Sequence, residues 1–476
     1  MKNILVILFI AFFVSCGFSG IYDSLAIKAI TAAGQNSENI GFVVRNVNTG
    51  NEIVSLNGDK KFIPASLQKL FTGAAAFDKL GTNFRTETKI YAENFDRKTG
   101  EIKGDLTIVG AGDAGISAER LWLLAQYLRH LGVKSINNRL VVDNSLFADE
   151  TAAPGYGESD NSRAYMAPIS AFAVSFNATS VVVSPSAHGE KANIHLFPSR
   201  EDVQMSGTIT TAQSGKEFSV ITKKHSECGM EVILGGIVKP TDKPKYIYRQ
   251  VWEPVINAAE TFRAVAKEVG INADFSVAIG KIDPSKSELI LSFDSEPLSV
   301  SINGMFKYSN NFTAEMVFLT LAAQTTKKQA NFESGSLVIQ NWWKEKFTQS
   351  GEISVINGSG MGARNQASAR QIADLLDWSS KQDWSYEYIA ALPIAGIDGT
   401  LASRFKNSVL KGNLRAKTGT LNDLGVSNLA GYFRANGELY SVVFIANDKT
   451  STQYAKWVLG DDLISNIKKT IEKTGK

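Results

Sequence analysis

The run from Pro64 to Gly81 constrains this chain more than any other stretch. Leu67, Leu70, Phe71, Ala74 and Phe77 recur at helical spacing, which predicts a helix over 66–80 with one face turned into a core. Pro64 suits the start of such a helix, where a missing N–H costs nothing, and Gly81 suits the position just past its end. Ser66 and Lys69 then stand one turn apart on the same face. A serine hydroxyl is a weak nucleophile until a base removes its proton. A lysine amine is such a base only when burial or nearby positive charge keeps it neutral. The free N–H groups of the helix start also face any oxyanion formed beside them. A second Ser-x-x-Lys spans Ser408 to Lys411, so the pattern alone decides nothing; its company further along the chain does.

At 476 residues the chain is too long for one average domain, and its 44% hydrophobic and 20% charged content is that of globular protein. A net charge of +3, without a basic helix or arginine cluster, gives no sign of nucleic-acid binding. Lys2 is followed by an apolar run from Ile4 to Val14, then Ser15, Cys16 and Gly17. That run is too short to span a bilayer but has the length of a signal-peptide core, so residues 1–17 are expected to direct export, to the periplasm or cell envelope. Cys16 resembles the lipidated cysteine of bacterial lipoproteins, although Phe13 stands where leucine is usual. The other cysteine, Cys228, reads as a structural thiol, and once Cys16 is removed or acylated no intramolecular disulfide is possible.

A helix around Ile21 to Ala33 precedes two strand-like runs, 41–45 and 52–56, joined by a turn at Asn48–Asn51. From about Phe84 short alternating segments take over, interrupted by a helix from Ala118 to Leu131, and this texture persists to about Tyr248. Helical periodicity returns from Val255, after Asn311 and from Ser368. Two closing strands flank Asn436-Gly437, and an amphipathic helix spans Tyr454 to Ile471. The expected organisation is an α/β (α+β) domain in two parts, 21–84 and 251–476, interrupted by β-rich modules over 85–250.

Two further elements complete a serine–lysine acyl-transfer set. Ser309-Asn310-Asn311 heads a helix: its hydroxyl can relay a proton between Lys69 and a leaving group, and the Asn311 amide can hold both Lys69 and a substrate carbonyl. Lys417-Thr418-Gly419-Thr420 precedes the final hairpin. There Lys417 and Thr418 can hold a substrate carboxylate, Gly419 leaves room for a substrate backbone, and the Thr420 N–H can join that of Ser66 in an oxyanion hole. Lys-Thr-Gly recurs at Lys98, in a polar turn, and at Lys473, in the tail. A literal Ser-Asp-Asn at Ser159 does not lead into a helix. His130, His188, His195 and His225 all fall among the β-rich modules, without zinc-ligand spacing, so neither a Ser-His-Asp nor a metal hydrolase fits, and no metal or cofactor is called for.

Ser-x-x-Lys, Ser-x-Asn and Lys-Thr-Gly together form the motif set of penicillin-binding proteins and β-lactamases. Ser295-Glu296-Pro297-Leu298 leading to Met305, the 308–315 run Tyr-Ser-Asn-Asn-Phe-Thr-Ala-Glu, and 416–421 followed by 426–432 resemble class C penicillin-binding proteins, the D-alanyl-D-alanine carboxypeptidase/endopeptidase family. Segments 104–113, 165–171, 357–360 and 397–401 are similar to that family as well, so the resemblance covers about 22–455, inserted modules included. Departures are Asn310 and Asn357 in place of aspartates and an arginine, Arg364, one position late. The resemblance implies a penicillin-binding transpeptidase/β-lactamase-like fold and an exported serine DD-peptidase. Ser66 would attack the penultimate D-alanine of peptidoglycan stem peptides, and β-lactams would acylate it as covalent inhibitors. Asp160 and Arg364 are candidate stem-peptide contacts. The alternatives are a serine β-lactamase or esterase of the same fold, disfavoured by the lack of a Glu-x-x-Leu-Asn segment, and an inactive cell-wall-binding protein, disfavoured by the intact motifs.

Overall fold

The computed structural model describes residues 22–149, 152–156, 162–198, 200, 202–225 and 229–474. Cys16, Cys228, Ser159, Asp160 and the expected signal segment lie outside the described residues. The chain forms two compact units: one comprises the chain up to Asn83, Leu298–Asn310 and Gly335 onward, the other Phe84–Pro297 and Asn311–Ser334. No helix among the described residues is long and apolar enough to cross a membrane.

The first unit is built on a five-stranded antiparallel sheet, in the order Glu52–Leu56, Ile40–Asn46, Glu438–Asn447, Val426–Ala435 and Arg415–Leu421. Asn436 and Gly437, both at positive φ, close the expected hairpin. Ile40–Asn46 is buried along its whole length, so its sequence reads as an apolar run rather than an alternation. One face packs, through Tyr22, Ala26, Leu459, Leu463 and Ile464, against helices 22–32 and Gln453–Thr474. On the opposite side the helix Ala369–Ser379 starts at a Ser368/Gln371 capping box and accepts the Tyr432 hydroxyl at the Leu376 carbonyl, 2.6 Å away. The helix Gln68–Leu80 ends at Gly81 as expected, but its first ten residues are buried on all sides rather than one. Helix Leu298–Lys307 packs so tightly there that a Cβ on Gly73 would lie 2.7 Å from the Phe306 ring.

A charge network ties the sheet to Ala369–Ser379. The Arg45 guanidinium, itself largely buried, bonds Glu52 at 2.8 Å, Asp374 at 2.7 Å and Asp377 at 3.0 Å. Arg370 extends the network to Glu52 and Asp59. Burial pushes the Asp377 carboxyl above the usual range, and Arg45 opposes that shift.

The second unit contains a mixed five-stranded sheet, ordered Ser276–Ile279, Arg139–Asp143, Leu106–Val109, Glu87–Glu93 and Ser287–Asp294. The helix Ala118–His130 connects the parallel neighbours Leu106–Val109 and Arg139–Asp143. A smaller β-rich core gathers Val181, Val183, Val220, Val232 and Val238. The unit extends past the expected limit of residue 250, to 297, and is not purely β-rich. Helix Pro254–Glu268 buries Val255, Ala258, Phe262 and Ala266 in the same cluster as Leu121, Leu124 and Leu128 of Ala118–His130. Helical periodicity announces an apolar face but does not say which core receives it. The helix Asn311–Thr326, buried nearly throughout, belongs here as well.

Removing a cation that serves buried carboxylates leaves their charge uncompensated. Arg45→Ala is therefore expected to destabilise the protein by about 3 kcal/mol, read as a lower midpoint in denaturant unfolding, whereas removing the exposed Arg97–Glu288 pair should shift it by less than about 1 kcal/mol.

Candidate active site

Ser66 lies in a 3-10 turn, Ala65–Leu67, immediately ahead of the α-helix rather than inside it. Ala65 adopts φ +47°, a left-handed conformation that costs a non-glycine residue about 1 kcal/mol or more and persists only where the surroundings impose it. The imposing contacts are visible. The Ile63 N–H donates to Asn447 Oδ1 at 2.7 Å, and Asn428 Nδ2 donates to the carbonyls of Ile63 at 3.0 Å and Pro64 at 2.9 Å. Gly360 crosses the Ala65 carbonyl so closely that a Cβ there would lie 1.8 Å from the oxygen.

One turn on, the fully buried Lys69 donates to Ser66 Oγ at 2.9 Å and to the Ser359 carbonyl at 2.8 Å. That carbonyl belongs to a loop pinned by two buried amides. Asn357 Oδ1 accepts from Gly360 N at 2.8 Å and Asn365 Nδ2 at 3.2 Å, and Asn365 Oδ1 accepts from Ile356 N at 2.9 Å.

The third motif sits on the edge strand Arg415–Leu421. Lys417 is fully buried and donates to Ser309 Oγ at 2.7 Å and to the Thr418 carbonyl at 2.7 Å. Ser309 follows the helix Leu298–Lys307 and is held at φ +56°. Burial, then the charge of Lys69, pushes the Lys417 amine well below the ordinary lysine range. Gly419 differs from expectation. The space above it is taken by the chain itself, since a Cβ would lie 2.8 Å from the Pro64 carbonyl oxygen and 3.3 Å from the Ala65 Cβ. Outside the sheet Ala416 N donates to Pro393 O at 2.9 Å, so by strand alternation the Thr418 and Thr420 N–H groups face the same outer edge. Thr418 Oγ1 donates to Thr400 Oγ1 at 2.8 Å.

Ser66, Lys69, Ser309 and Lys417–Thr420 therefore gather within the first unit, through direct contacts between segments far apart in the chain. Asn311 opens a helix of the second unit, where its Nδ2 donates to the Tyr165 carbonyl at 3.2 Å. Arg364 is exposed on the Ser354–Gln366 loop that also carries Ser359. The competing motifs have other surroundings. Ser408 hydrogen-bonds Ser465 in a turn, and Asp96 Oδ1 accepts the N–H groups of Lys98 and Thr99. The four histidines are in the second unit, and no group of three or more His, Cys, Asp or Glu among the described residues could hold a metal ion. Sequence reasoning missed Asn428, Asn447 and Thr400. The first two are polar residues in otherwise apolar strands, which was a legible signal.

The sequence pattern of the D-Ala-D-Ala carboxypeptidase 3 (S13) family matches residues 24–459. The chain belongs to that family. Among its relatives, the D-alanyl-D-alanine carboxypeptidase of Actinomadura sp. (strain R39) is 30% identical over 85% of this chain and 77% of its own. D-alanyl-D-alanine carboxypeptidase DacB of Haemophilus influenzae is 26% identical over 92% of this chain and 91% of its own. The crystal structure of penicillin binding protein 4 (dacB) from H. influenzae superposes with a TM-score of 0.76 at 26% identity, covering 90% of this chain and 96% of that one. The same protein has been solved complexed with a novel β-lactam (TM-score 0.71, the same coverage). Membership in the S13 family makes the chain a serine-type D-Ala-D-Ala peptidase with a penicillin-binding, β-lactamase-like fold.

The S13 site depends on the close approach of Gly419 to Pro64. Gly419→Ala should displace the Ser66 turn and lower kcat/KM by about 100-fold with the circular-dichroism spectrum retained; near-normal activity in that variant would count against the approach being required.

Proposed function

We propose that this S13 enzyme is exported to the cell envelope and cleaves the bond to the terminal D-alanine of peptidoglycan stem peptides through an acyl-enzyme on Ser66. The observation that carries the proposal is the contact of buried Lys69 with Ser66 Oγ at 2.9 Å beside a second buried lysine. Two amines close together in a dry space disfavour each other's charge. A neutral Lys69 reverses the contact and accepts the serine proton as Ser66 Oγ attacks the carbonyl carbon of the penultimate D-alanine. The Ser66 and Thr420 N–H groups then receive the oxyanion. Collapse breaks the carbon–nitrogen bond. The departing nitrogen takes its proton through Ser309, which Lys417 contacts at 2.7 Å. Water hydrolyses the resulting ester and restores Ser66. We assign the Asn311 amide to the substrate carbonyl.

Lys417 and Thr418 receive the terminal carboxylate. An anion beside Lys417 favours its charged form, so binding takes up a proton wherever the free amine is neutral. When the leaving nitrogen belongs to a neighbouring stem, the same steps open a cross-link, which is endopeptidase activity. Arg364 and Asp160 are the residues we assign to the stem peptide's side chains. β-Lactams present the same carbonyl and carboxylate and acylate Ser66; the β-lactam complex of the H. influenzae relative supports this.

Fluorescent penicillin should label the wild type stably, and the label should vanish in Ser66→Ala together with a fall in kcat/KM on the order of 10⁴-fold or more. Label persisting on Ser66→Ala refutes the nucleophile, and rapid release of hydrolysed drug points to a β-lactamase. Muropeptide digests read by mass spectrometry separate terminal cleavage from cross-link opening. The pH dependence follows from the lowered Lys417 value. KM for a carboxylate-terminated peptide should be flat below that pKa and rise above it, by at most about tenfold per pH unit.

A further inference from the structure

The segment 393–401 is anchored on every side but one. Ile394 N donates to Asp398 Oδ1 at 2.7 Å, and Asp398 Oδ2 pairs with Lys307, two residues before Ser309, at 2.7 Å. Gly399, at φ +57°, lies so close to the Lys307 carbonyl that a Cβ would approach it to 2.6 Å. Leu401 is sunk in the core. Ile394 bridges Arg415 alongside the edge strand, and the Pro393 carbonyl takes the Ala416 N–H, two residues before Thr418. Beside Thr418 stands Thr400, half-buried. Among the described residues, its hydroxyl is bonded to one side chain only, Thr418 Oγ1, at 2.8 Å.

A hydroxyl has one proton to donate and two lone pairs with which to accept. While Thr418 directs its proton at Thr400, it has none for an anion. When a carboxylate arrives, the Thr418 proton turns to it, and Thr400 becomes the donor, to Thr418 Oγ1 or to the second carboxylate oxygen. Donation along such a chain strengthens each bond within it, most of all when the last acceptor is charged. A threonine placed only to start the Gly399–Leu401 turn has no need of a rigid mounting against Thr418.

We infer that Thr400 is a specificity-determining residue for the substrate's C-terminal carboxylate, acting as the second hydroxyl of a Thr418–Thr400 pair. This rests on the proposed role of Thr418 at that carboxylate. The pair discriminates a terminal carboxylate from a neutral terminus and takes no part in the proton transfers at Ser66.

Steady-state kinetics on the full chain, with a D-Ala-D-Ala-terminated peptide and its C-terminal carboxamide, test the inference. Thr400→Val keeps the shape and removes the hydroxyl. It should raise KM for the acid about tenfold, with the change carried by KM rather than kcat, and should leave the carboxamide's kcat/KM where it was. Thr400→Ser, which restores the hydroxyl, should restore discrimination. Wild-type discrimination in Thr400→Val, or equal losses on acid and carboxamide, overturns the role of Thr400 while the carboxylate reading stands. A wild type that treats acid and carboxamide alike, with Ser66 still labelled by penicillin, overturns the carboxylate reading and this inference with it.

Discussion

The site rests on one close approach, that of the Pro64–Ala65 turn to the strand carrying Gly419. The Pro64 carbonyl occupies the space a side chain would take at 419 and is held there by Asn428, the residue paired with Gly419 on the neighbouring strand. Asn428 also accepts the Ala446 N–H, so a single buried amide stitches three strands' worth of backbone to the serine turn. The left-handed φ at Ala65 follows from this arrangement: the chain must leave Pro64 along the sheet and turn within one residue to start a helix pointing elsewhere. Strain at Ala65 and at Ser309 is therefore concentrated at the two hydroxyls to which we assign the chemistry, and rigid surroundings maintain it.

With the backbone fixed in that way, protonation becomes the remaining variable. Lys69 and Lys417 are both fully buried, Lys69 against the Ser66 hydroxyl and the Ser359 carbonyl and Lys417 against the Ser309 hydroxyl and the Thr418 carbonyl. Hydroxyl and carbonyl oxygens accept from a cation and from a neutral amine alike. Such a pair titrates jointly, so a proton on one amine discourages a proton on the other. On the reading proposed above, a carboxylate reaching Lys417 would draw charge to that amine and leave Lys69 free to act as a base. On that reading, substrate recognition and base activation would be one electrostatic event rather than two.

Much of this was legible in the sequence, for reasons that differ by element. Glu52–Leu56 and Leu106–Val109 are found where the alternation put them, and Gly81 ends its helix as its type suggests. These depend on local rules. The helices Leu298–Lys307, Phe332–Lys346 and Ser385–Ala391 went unread because their apolar residues serve cores assembled from distant segments. Gly419 was read as room for substrate, whereas the occupant is the chain's own backbone, a contact only tertiary structure reveals. The complete burial of Lys417, which lowers the pKa of its amine, cannot be seen from one side chain either. Asn428 and Asn447 were within reach, since a polar amide in a buried apolar strand must find partners somewhere.

The long separation of the Ser66 and Ser309 motifs also has a physical explanation. The first unit's chain leaves at Asn83 and re-enters at Leu298, and just inside those points Ser299 N donates to the Thr82 carbonyl at 3.0 Å. On the other side of the same junctions, Thr86 and Ser295 are hydrogen-bonded to each other and Glu87–Glu93 pairs antiparallel with Ser287–Asp294. Both units thus close their own ends locally. Closing a long excursion costs little more than closing a short one, because loop entropy grows only with the logarithm of length. A folded insertion whose ends are already adjacent adds almost nothing to that cost. The Ser66 turn and the Ser309 turn, both in the first unit, can therefore keep their mutual geometry whatever the length of chain between Asn83 and Leu298.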